Sequence, residues 1–165
     1  MIIRPAIDAD LDTILDIYNA AILETAAIWT DEPVDRANRE RWFATQAANG
    51  HPILVAEVDD TVAGYASFAQ WRLMHGYRYS VENSIYVASA FQGQGIARAL
   101  MTELIAQATA YGAHLMVADI EAALPASIAL HESLGFVKTG HVKEIGYKFD
   151  RWLDLAILQL TLNEG

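Results

Sequence analysis

Two closely spaced glycines, Gly93 and Gly95, mark the segment best suited to chemistry, QGQGIA at residues 92–97. Before it, residues 80–87 alternate between two sets of side chains, a period of two that predicts a strand. From Ile96 onward, apolar residues recur at helical spacing, which predicts a helix. The first N–H groups of a helix have no main-chain partner, and glycines let a ligand approach closely. The junction therefore predicts a phosphate or pyrophosphate site.

The spacing of this junction distinguishes among phosphate-binding loops. A dinucleotide fingerprint starting at Gly93 would need glycine or alanine at position 98, where Arg98 stands. The chain contains no G-x-x-x-x-G-K-[ST] sequence, which argues against a nucleoside triphosphatase. The pattern Q/R-x-x-G-x-G/A does fit, as Gln92, Gly95 and Ala97. It resembles the acetyl-coenzyme A signature of the GCN5-related N-acetyltransferases; the alternative is a glycine-rich turn without a ligand.

The resemblance covers essentially the whole chain. Five blocks are similar to the branch that contains the phosphinothricin and methionine sulfoximine/methionine sulfone N-acetyltransferases: residues 17–35, 52–72, 76–87, 127–136 and 148–160. It implies direct transfer of acetyl from acetyl-coenzyme A to the α-amine of a small amino-acid-like acceptor, by a homodimer. Two alternatives stay open, namely acetylation of a peptide or protein N-terminus and a coenzyme A-binding module without catalysis.

The resemblance also implies which residues hold the acetyl donor. They lie at the end of the 80–87 strand, in the glycine turn and in one later loop: Ile85, Tyr86, Val87, Gln92, Gly93, Gln94, Gly95, Ile96, Ala97, Arg98 and Leu124. At position 124 the family usually has an asparagine that contacts the pantetheine amides. A leucine cannot make those hydrogen bonds, so either the donor is held more weakly or main-chain contacts suffice.

Acetyl transfer to an amine requires a base, stabilisation of an oxyanion and protonation of the departing thiolate. Glu82 is the candidate base, because it lies on the strand that ends at the glycine turn. The resemblance implies the same role, and the alternative is a surface carboxylate at a sheet edge. Main-chain amides near Tyr86 and Val87 are expected to bind the oxyanion. For the thiolate, His131 stands where the wider superfamily often has a tyrosine, and histidine can donate a proton near pH 7. His131 could instead be a hydrogen-bonded packing residue, and Tyr86 is the competing acid.

The acceptor site is predicted from arginines among aromatic residues. Arg72 and Arg78 lie in QWRLMHGYRY, directly before the strand that carries the candidate base. A guanidinium grips a carboxylate with two hydrogen bonds, so this segment predicts a site for the α-carboxylate. Alternatively, each arginine pairs with a surface acid. Trp29 is a candidate aromatic wall, although it could equally be core. By resemblance, Asn83 and Ser84 complete the polar side.

Composition excludes several other classes. With 165 residues, 53% of them hydrophobic and 19% charged, the chain is expected to form a single globular domain, 1–165. The net charge of −10 argues against nucleic acid as a partner. The lack of cysteine and the spacing of the five histidines argue against a metal site. No apolar run reaches the roughly 18 residues of a membrane span, and the first residues do not resemble a signal peptide. We therefore expect a cytoplasmic protein without membrane contact.

The elements that must position these residues follow from hydrophobic periodicity and turn signals. Strands are predicted near 1–4, 53–58, 61–71, 80–87, 115–120, 136–147 and 152–162, and helices near 8–24, 35–48, 95–110 and 126–134. The order β-α-α-β-β-β-α-β-α-β-β predicts an α/β fold. The resemblance supplies the arrangement, a mixed and mostly antiparallel sheet flanked by helices. The glycine turn then lies at the carboxyl end of strand 80–87, where open α/β sheets tend to bind ligands.

Overall fold

The computed structural model describes residues 1–163 and contains one seven-stranded sheet with helices on both faces. In chain order the elements are β1 (Ile2–Pro5), α1 (Leu11–Glu24), α2 (Arg36–Ala48), β2 (Ile53–Val58), β3 (Thr61–Gln70), β4 (Ser80–Val87), α3 (Ile96–Tyr111), β5 (Leu115–Glu121), α4 (Pro125–Glu132), β6 (Val137–Lys148) and β7 (Arg151–Thr161). This order confirms the predicted α/β fold. The predicted domain also includes residues 164 and 165, which lie outside the described residues.

The sheet is mixed, and its one parallel pair lies near its centre. The strands are arranged as β1-β2-β3-β4-β5-β7-β6. All neighbours run antiparallel except β4 and β5, which are parallel. Parallel neighbours need a crossover connection, and α3 supplies it. The mostly antiparallel arrangement that the resemblance implied is therefore confirmed.

Each face of the sheet has its own core. On one face, Leu100, Met101 and Leu104 of α3 are fully buried against strand residues such as Phe68. On the other face, apolar residues of α1 pack against Tyr65 and its neighbours. Burying one such side chain contributes roughly 1.5–3 kcal/mol. The helices are thus apolar on the sheet side, and within residues 1–163 none is long and apolar enough to cross a membrane.

The helix ends follow local sequence signals. Asp35 caps α2, and its side chain accepts a hydrogen bond from the N–H of Asn38 at 2.8 Å. Gly112, at φ +90°, ends α3. The predicted helix from residue 8 is corrected at its start, because residues 8–10 form a 3-10 turn before α1. In that turn the Asp10 side chain accepts the N–H of Ile7, which holds the chain in a tighter conformation.

The feature that positions the site is the divergence of β4 from β5. These strands pair only where residues 80–82 face residues 115–117. Beyond that point β4 stays paired with β3 up to Val87, and β5 stays paired with β7 up to Glu121. Two firmly paired strands therefore separate, and a gap opens between Val87 and Glu121 in the middle of the sheet.

Candidate active site

The divergence of β4 and β5 opens a cleft with two lobes that share Ala27, Ile85 and Tyr86. The inner lobe, about 420 Å³, lies between β4, β5 and the start of α4. The outer lobe, about 550 Å³, lies between α1 and the end of β4 and reaches Gln92. Both volumes include space open to solvent. Ile85 and Tyr86 line both lobes and Val87 lines the outer one, so the strand residues predicted to hold the donor all face the cleft.

The glycine turn places free N–H groups beyond the end of β4. Gly93 and Gly95 have φ of +76° and +80°, a region that favours glycine. Apart from the adjoining chain, no atom of residues 1–163 lies within 4 Å of the position that a Cβ would take at either residue. Within the described chain, the main-chain N–H groups of residues 93–98 have no hydrogen-bond partner, as expected ahead of and in the first turn of α3. Together with the positive end of the helix dipole, this turn fits a pyrophosphate group.

The side chains of the turn differ in what they contribute. Ile96 is buried in the core, so only its main chain can face a ligand. Nε2 of Gln92 donates to the carbonyl of Val87 at 3.4 Å, which ties the turn to the end of β4. Arg98 is exposed and donates to the hydroxyl of Ser133 at 2.7 Å, while Gln94 is exposed and Ala97 half-buried. The binding predicted here therefore depends mainly on backbone amides.

Glu82 lies at the last paired position before β4 and β5 diverge, between Ala69 of β3 and Val117 of β5. It is therefore inside the sheet and not at an edge. Burial raises the pKa of Glu82 to about 7; the charge of Asp119 also raises this pKa, and that of Arg72 lowers it. A carboxylate with a pKa near neutrality can both accept and release a proton at physiological pH.

Arg72 and Arg78 lie in the exposed loop between β3 and β4, and each guanidinium lies over a ring. The Cζ of Arg72 is 4.9 Å from the centre of the Trp71 ring, and that of Arg78 is 4.6 Å from the centre of the Tyr79 ring. Neither arginine forms an ion pair within residues 1–163, so the predicted alternative of surface pairing is not seen there. Nε1 of Trp71 donates to Oδ2 of Asp119 at 3.2 Å, which connects this loop with the cleft.

His131 and Asn83 form a buried pair on the α4 side of β4. Nδ1 of His131 donates to the carbonyl of Ser127 at 2.8 Å, and its Nε2 lies 3.1 Å from Oδ1 of Asn83. Nδ2 of Asn83 donates to the carbonyl of Val117 at 3.0 Å and so bridges the strands where they separate. Burial lowers the pKa of His131, partly offset by the bond to Ser127. His131 lines the inner lobe, yet both ring nitrogens already have contacts within the protein. Its role as an acid stays a prediction.

Successive residues of β4 point to opposite faces of the sheet. Glu82, Ser84 and Tyr86 alternate with Asn83, so Asn83 points to the opposite face from Ser84. Asn83 and Ser84 nevertheless both line the inner lobe, and their place on the polar side of the acceptor site stays a prediction. Burial raises the pKa of Tyr86, which keeps its phenol protonated at neutral pH. Tyr86 thus remains the competing proton donor.

Trp29 packs against the β6–β7 hairpin. A Cβ built on Gly146 of β6 would lie 2.3 Å from the Trp29 ring, so the ring occupies the space that this glycine leaves. Nε1 of Trp29 donates to the carbonyl of Ala26 at 2.9 Å. The described residues that line the two lobes do not include Trp29. Its role as the aromatic wall of the acceptor site therefore stays a prediction.

Leu124 caps the N-terminal end of α4 and lies directly before Pro125, the first residue of that helix. Its side chain lines the inner lobe and also packs against the larger core. Its carbonyl accepts hydrogen bonds from the N–H groups of Ser127 and Ile128, both at 3.2 Å. The residue is therefore placed to touch a donor in the cleft through apolar contact, while the consequence for donor affinity stays a prediction.

Sequence reasoning missed half of the residues that line the inner lobe, namely Ala27, Ala118, Asp119, Ile120, Glu121 and Ser127. Oδ1 of Asp119 is buried and has no hydrogen-bond partner among residues 1–163. A signal was present, because an acidic residue interrupts the apolar strand LMVADIE two positions from the partner of Glu82. Ala27 offered no signal, since its place depends on the path of the α1–α2 loop.

The titratable groups that line the inner lobe are Tyr86, Asp119, Glu121 and His131. Glu82 is not among the lining residues and lies directly before them on β4. Over residues 1–163, no three His, Asp or Glu side chains are grouped so that they could hold a metal ion. The arrangement is suited to proton transfer: one carboxylate with a pKa near 7 can take a proton, and a phenol or imidazole can supply one.

Comparisons with known proteins agree with this geometry. The family model for the acetyltransferase (GNAT) family matches residues 14–136. An L-methionine sulfoximine/L-methionine sulfone acetyltransferase of Salmonella typhimurium is 50% identical over 164 residues, which are 99% of this chain and 96% of the relative. The crystal structure of a ribosomal-protein-alanine N-acetyltransferase from Brucella melitensis has a TM-score of 0.97 at 47% identity, covering 98% of this chain and 100% of that one.

A third relative carries information on the ligand. The yncA protein of Salmonella typhimurium, whose structure was determined with its cofactor acetyl-CoA, has a TM-score of 0.99 at 50% identity. The match covers 100% of this chain and 95% of that one. The family model spans more than half of the chain, and the full-length relatives share about half of its residues. The chain described here therefore belongs to the acetyltransferase (GNAT) family.

Proposed function

We propose that this protein transfers the acetyl group of acetyl-coenzyme A to the α-amine of a small amino-acid-like acceptor. The position of Glu82 carries the proposal, because this carboxylate lies where β4 and β5 diverge, on the strand that leads to the glycine turn. One strand thus connects a proton acceptor with a site that fits the pyrophosphate of the donor. The names of the Salmonella relatives, which mention methionine sulfoximine, methionine sulfone and acetyl-CoA, support both substrates.

Main-chain groups would hold most of the donor. The free N–H groups of residues 93–98 would bind the pyrophosphate, with Arg98 as a nearby cation. The edge of β4 that faces the gap, from Ile85 to Val87, would hold the pantetheine arm and the acetyl group. Leu124 would contact the donor through apolar surface only. Since the chain carries a net charge of −10, these amides matter more here than long-range attraction of the polyanionic donor.

The reaction is an acyl transfer in which one C–N bond forms and one C–S bond breaks. The acceptor ammonium loses a proton to Glu82, which passes it to solvent, and the free amine then attacks the thioester carbonyl carbon. The nitrogen of the tetrahedral intermediate is again positively charged, and it loses its second proton to Glu82 as the intermediate collapses. Amides near Tyr86 and Val87 would stabilise the oxyanion that forms. As the thiolate leaves, His131 or Tyr86 would return a proton to sulfur, and the two stay alternatives. The products are the N-acetylated acceptor and the free thiol of coenzyme A.

The acceptor carboxylate would be bound by Arg72 and Arg78. Both guanidinium groups are free of ion pairs within residues 1–163, and the charge of Arg72 is felt by Glu82. An amino acid could therefore place its carboxylate on the loop while its amine reaches the base. Ser84, on the same face as Glu82, and the predicted wall Trp29 would complete this side.

A screen for thiol release from acetyl-coenzyme A tests the proposal. The acceptors are free amino acids, methionine sulfoximine, methionine sulfone, phosphinothricin and a short peptide with a free N-terminal alanine. We expect release with the amino-acid set and little with the peptide. Preference for the peptide would favour N-terminal acetylation, the alternative to which the name of the Brucella relative points. Donor binding without release for any acceptor would favour a non-catalytic coenzyme A-binding module.

We further propose a cytoplasmic homodimer in which the chain forms one catalytic domain. The cytoplasm is proposed because acetyl-coenzyme A is a cytoplasmic metabolite. The dimer rests on the family resemblance, and the edge strand β6 supports it. Large apolar side chains of the β6–β7 hairpin are exposed, among them Ile145 (54%), Tyr147 (54%) and Trp152 (61%). Sedimentation equilibrium tests the dimer, with a purely monomeric wild-type protein as the contrary outcome.

A further inference from the structure

Lys148, at the end of β6, is the most deeply buried charged side chain of the described residues, with 1% of its surface exposed. Its Nζ donates three hydrogen bonds, to the carbonyls of Ile22 at 2.5 Å, Thr25 at 2.7 Å and Ile28 at 2.6 Å. All three acceptors belong to the last turn of α1 or to the loop that follows it. One ammonium group therefore holds a bend of the chain that lies more than 100 residues away in sequence.

Buried ammonium groups are costly unless each proton has a partner, and this requirement explains the geometry. The C-terminal carbonyls of α1 have no partners within their own helix, and they carry the negative end of the helix dipole. Nζ of Lys148 donates to the carbonyl of Ile22, which belongs to that last turn, and also to the carbonyls of Thr25 and Ile28, which follow it. These hydrogen bonds thereby fix the conformation of the loop after α1, although this loop has no regular secondary structure.

A second contact fixes the same loop to the same strand. The Trp29 ring fills the space beside Gly146, two residues before Lys148, where even one Cβ would clash at 2.3 Å. We name residues 25–29 the roof segment, since Ala27 lies in it and lines both lobes of the cleft with Ile85 and Tyr86. The hairpin strand β6 thus determines where the roof of the cleft lies.

We propose that Lys148 is a positioning residue that holds the roof segment over the cleft and thereby sets the affinity for the acceptor. The inference rests on the proposed function. The roof segment contains Trp29, the predicted wall of the acceptor site, so the larger effect is expected on the acceptor. The donor's pyrophosphate would bind at the glycine turn, which Lys148 does not touch, and only Thr25 and Ala27 of the roof segment line the outer lobe beside the pantetheine arm, so the effect on the donor is expected to be smaller. Gly146 serves the same purpose by admitting the Trp29 ring.

The test measures both Michaelis constants of Lys148→Met, which keeps a long side chain but removes all three donors. We expect the acceptor KM to rise roughly tenfold, equivalent to about 1.4 kcal/mol, while the donor KM changes less than about twofold. Lys148→Arg should recover part of the acceptor affinity, because it keeps the charge and several donors. Lys138→Met removes an exposed lysine of the same strand and should change neither constant.

Hydrogen exchange provides a readout that does not depend on activity. In Lys148→Met, the amides of the roof segment should exchange faster while those of α3 stay protected. If Lys148→Met does not fold, Gly146→Ala decides, since it displaces the Trp29 ring while leaving the lysine in place. Unchanged acceptor KM, or equal rises in both constants, in a folded variant would overturn the inference alone. A wild-type protein that acetylates no acceptor would overturn the proposed function and the inference with it.

Discussion

Asp10 and Glu82 are two largely buried carboxylates with opposite surroundings. At the start of α1, Asp10 accepts hydrogen bonds from Nη1 of Arg4 at 2.7 Å, from Nη2 of Arg4 at 2.9 Å and from the N–H of Ile7 at 2.8 Å. Mainly through Arg4, these contacts hold the pKa of Asp10 below its ordinary value. Glu82 accepts no such bond within residues 1–163, and burial raises its pKa to about 7.

The contrast shows how one fold places the same functional group in two settings, one that stabilises the fold and one that suits the proton transfer proposed above. The lowered pKa of Asp10 means that its ionised form stabilises the protein above the ordinary value near 3.9, and that this stabilisation is lost as pH falls through the lowered pKa. For Glu82 the sign is reversed: between about 4.3 and 7 the folded state holds a proton that the unfolded state has released. Stability therefore falls as pH rises through that range, and a carboxylate that binds a proton near neutral pH is left where β4 and β5 diverge.

The largest expected effect is on the unpaired carboxylate. Glu82→Gln should lower kcat by roughly 10²–10⁴, because the proton acceptor is lost, and it should flatten the acidic limb of the pH–rate profile. Its free energy of unfolding at pH 8 should stay the same or increase, since a buried charge without a partner is removed. Steady-state kinetics and urea unfolding measure both. A variant with wild-type kcat and an unchanged pH profile would show that another group takes the proton.

The paired carboxylate should respond in the opposite way. Asp10→Asn should lower the free energy of unfolding at pH 7 by about 1.5–3 kcal/mol, the usual worth of a hydrogen bond to a charged group, and should leave kcat unchanged. The difference from wild type should shrink as the pH falls below 4, where the carboxyl group becomes protonated. Asp12→Asn, two residues further along and 75% exposed, is the matched control; it removes only a solvent-screened contact with Arg36 and should have little effect. Equal losses in both variants would show that the hydrogen bonds to Asp10 contribute no more to stability than an exposed carboxylate does.

The fold was predictable from sequence because its signals are local. Alternation, capping residues and glycines mark each element, and the boundaries agree with the structure within one or two residues at most ends. The glycine turn was predictable for the same reason. By contrast, the pairing of Lys148 with three carbonyls of the roof segment joins positions more than 100 residues apart, and no local pattern records it. The side-chain bridge from Asn83 to Val117 depends likewise on where β5 leaves β4.

The next smaller effect concerns Arg72 and Arg78, and it tests whether their charges bind the carboxylate of the acceptor. Arg72→Ala and Arg78→Ala should each raise the KM for a free amino acid by roughly tenfold, since each removes a charge-assisted contact present in both ground and transition states. Carboxamide or ester analogues should respond far less. The comparison is made with kcat and KM for matched acid and amide pairs. If acids and amides respond alike, the two arginines do not bind the carboxylate.

The smallest expected effect is a shift of the pH–rate profile along the pH axis, without a change in the maximal rate. Burial is the main cause of the raised pKa of Glu82, and the negative charge of Asp119 is the second cause. Asp119→Asn removes this charge, while asparagine can still accept the hydrogen bond from Trp71. The acidic limb of kcat/KM should therefore move to lower pH, while the rate on the plateau changes little. Asp60→Asn, in the turn between β2 and β3, makes the same charge change far from the cleft and should leave the limb in place. If Asp119→Asn leaves the limb unmoved while Glu82→Gln abolishes it, Asp119 does not influence the base. The raised pKa of Glu82 would then follow from burial alone, and the two carboxylates would differ in hydrogen bonding and burial but not in the charge of a neighbouring acid.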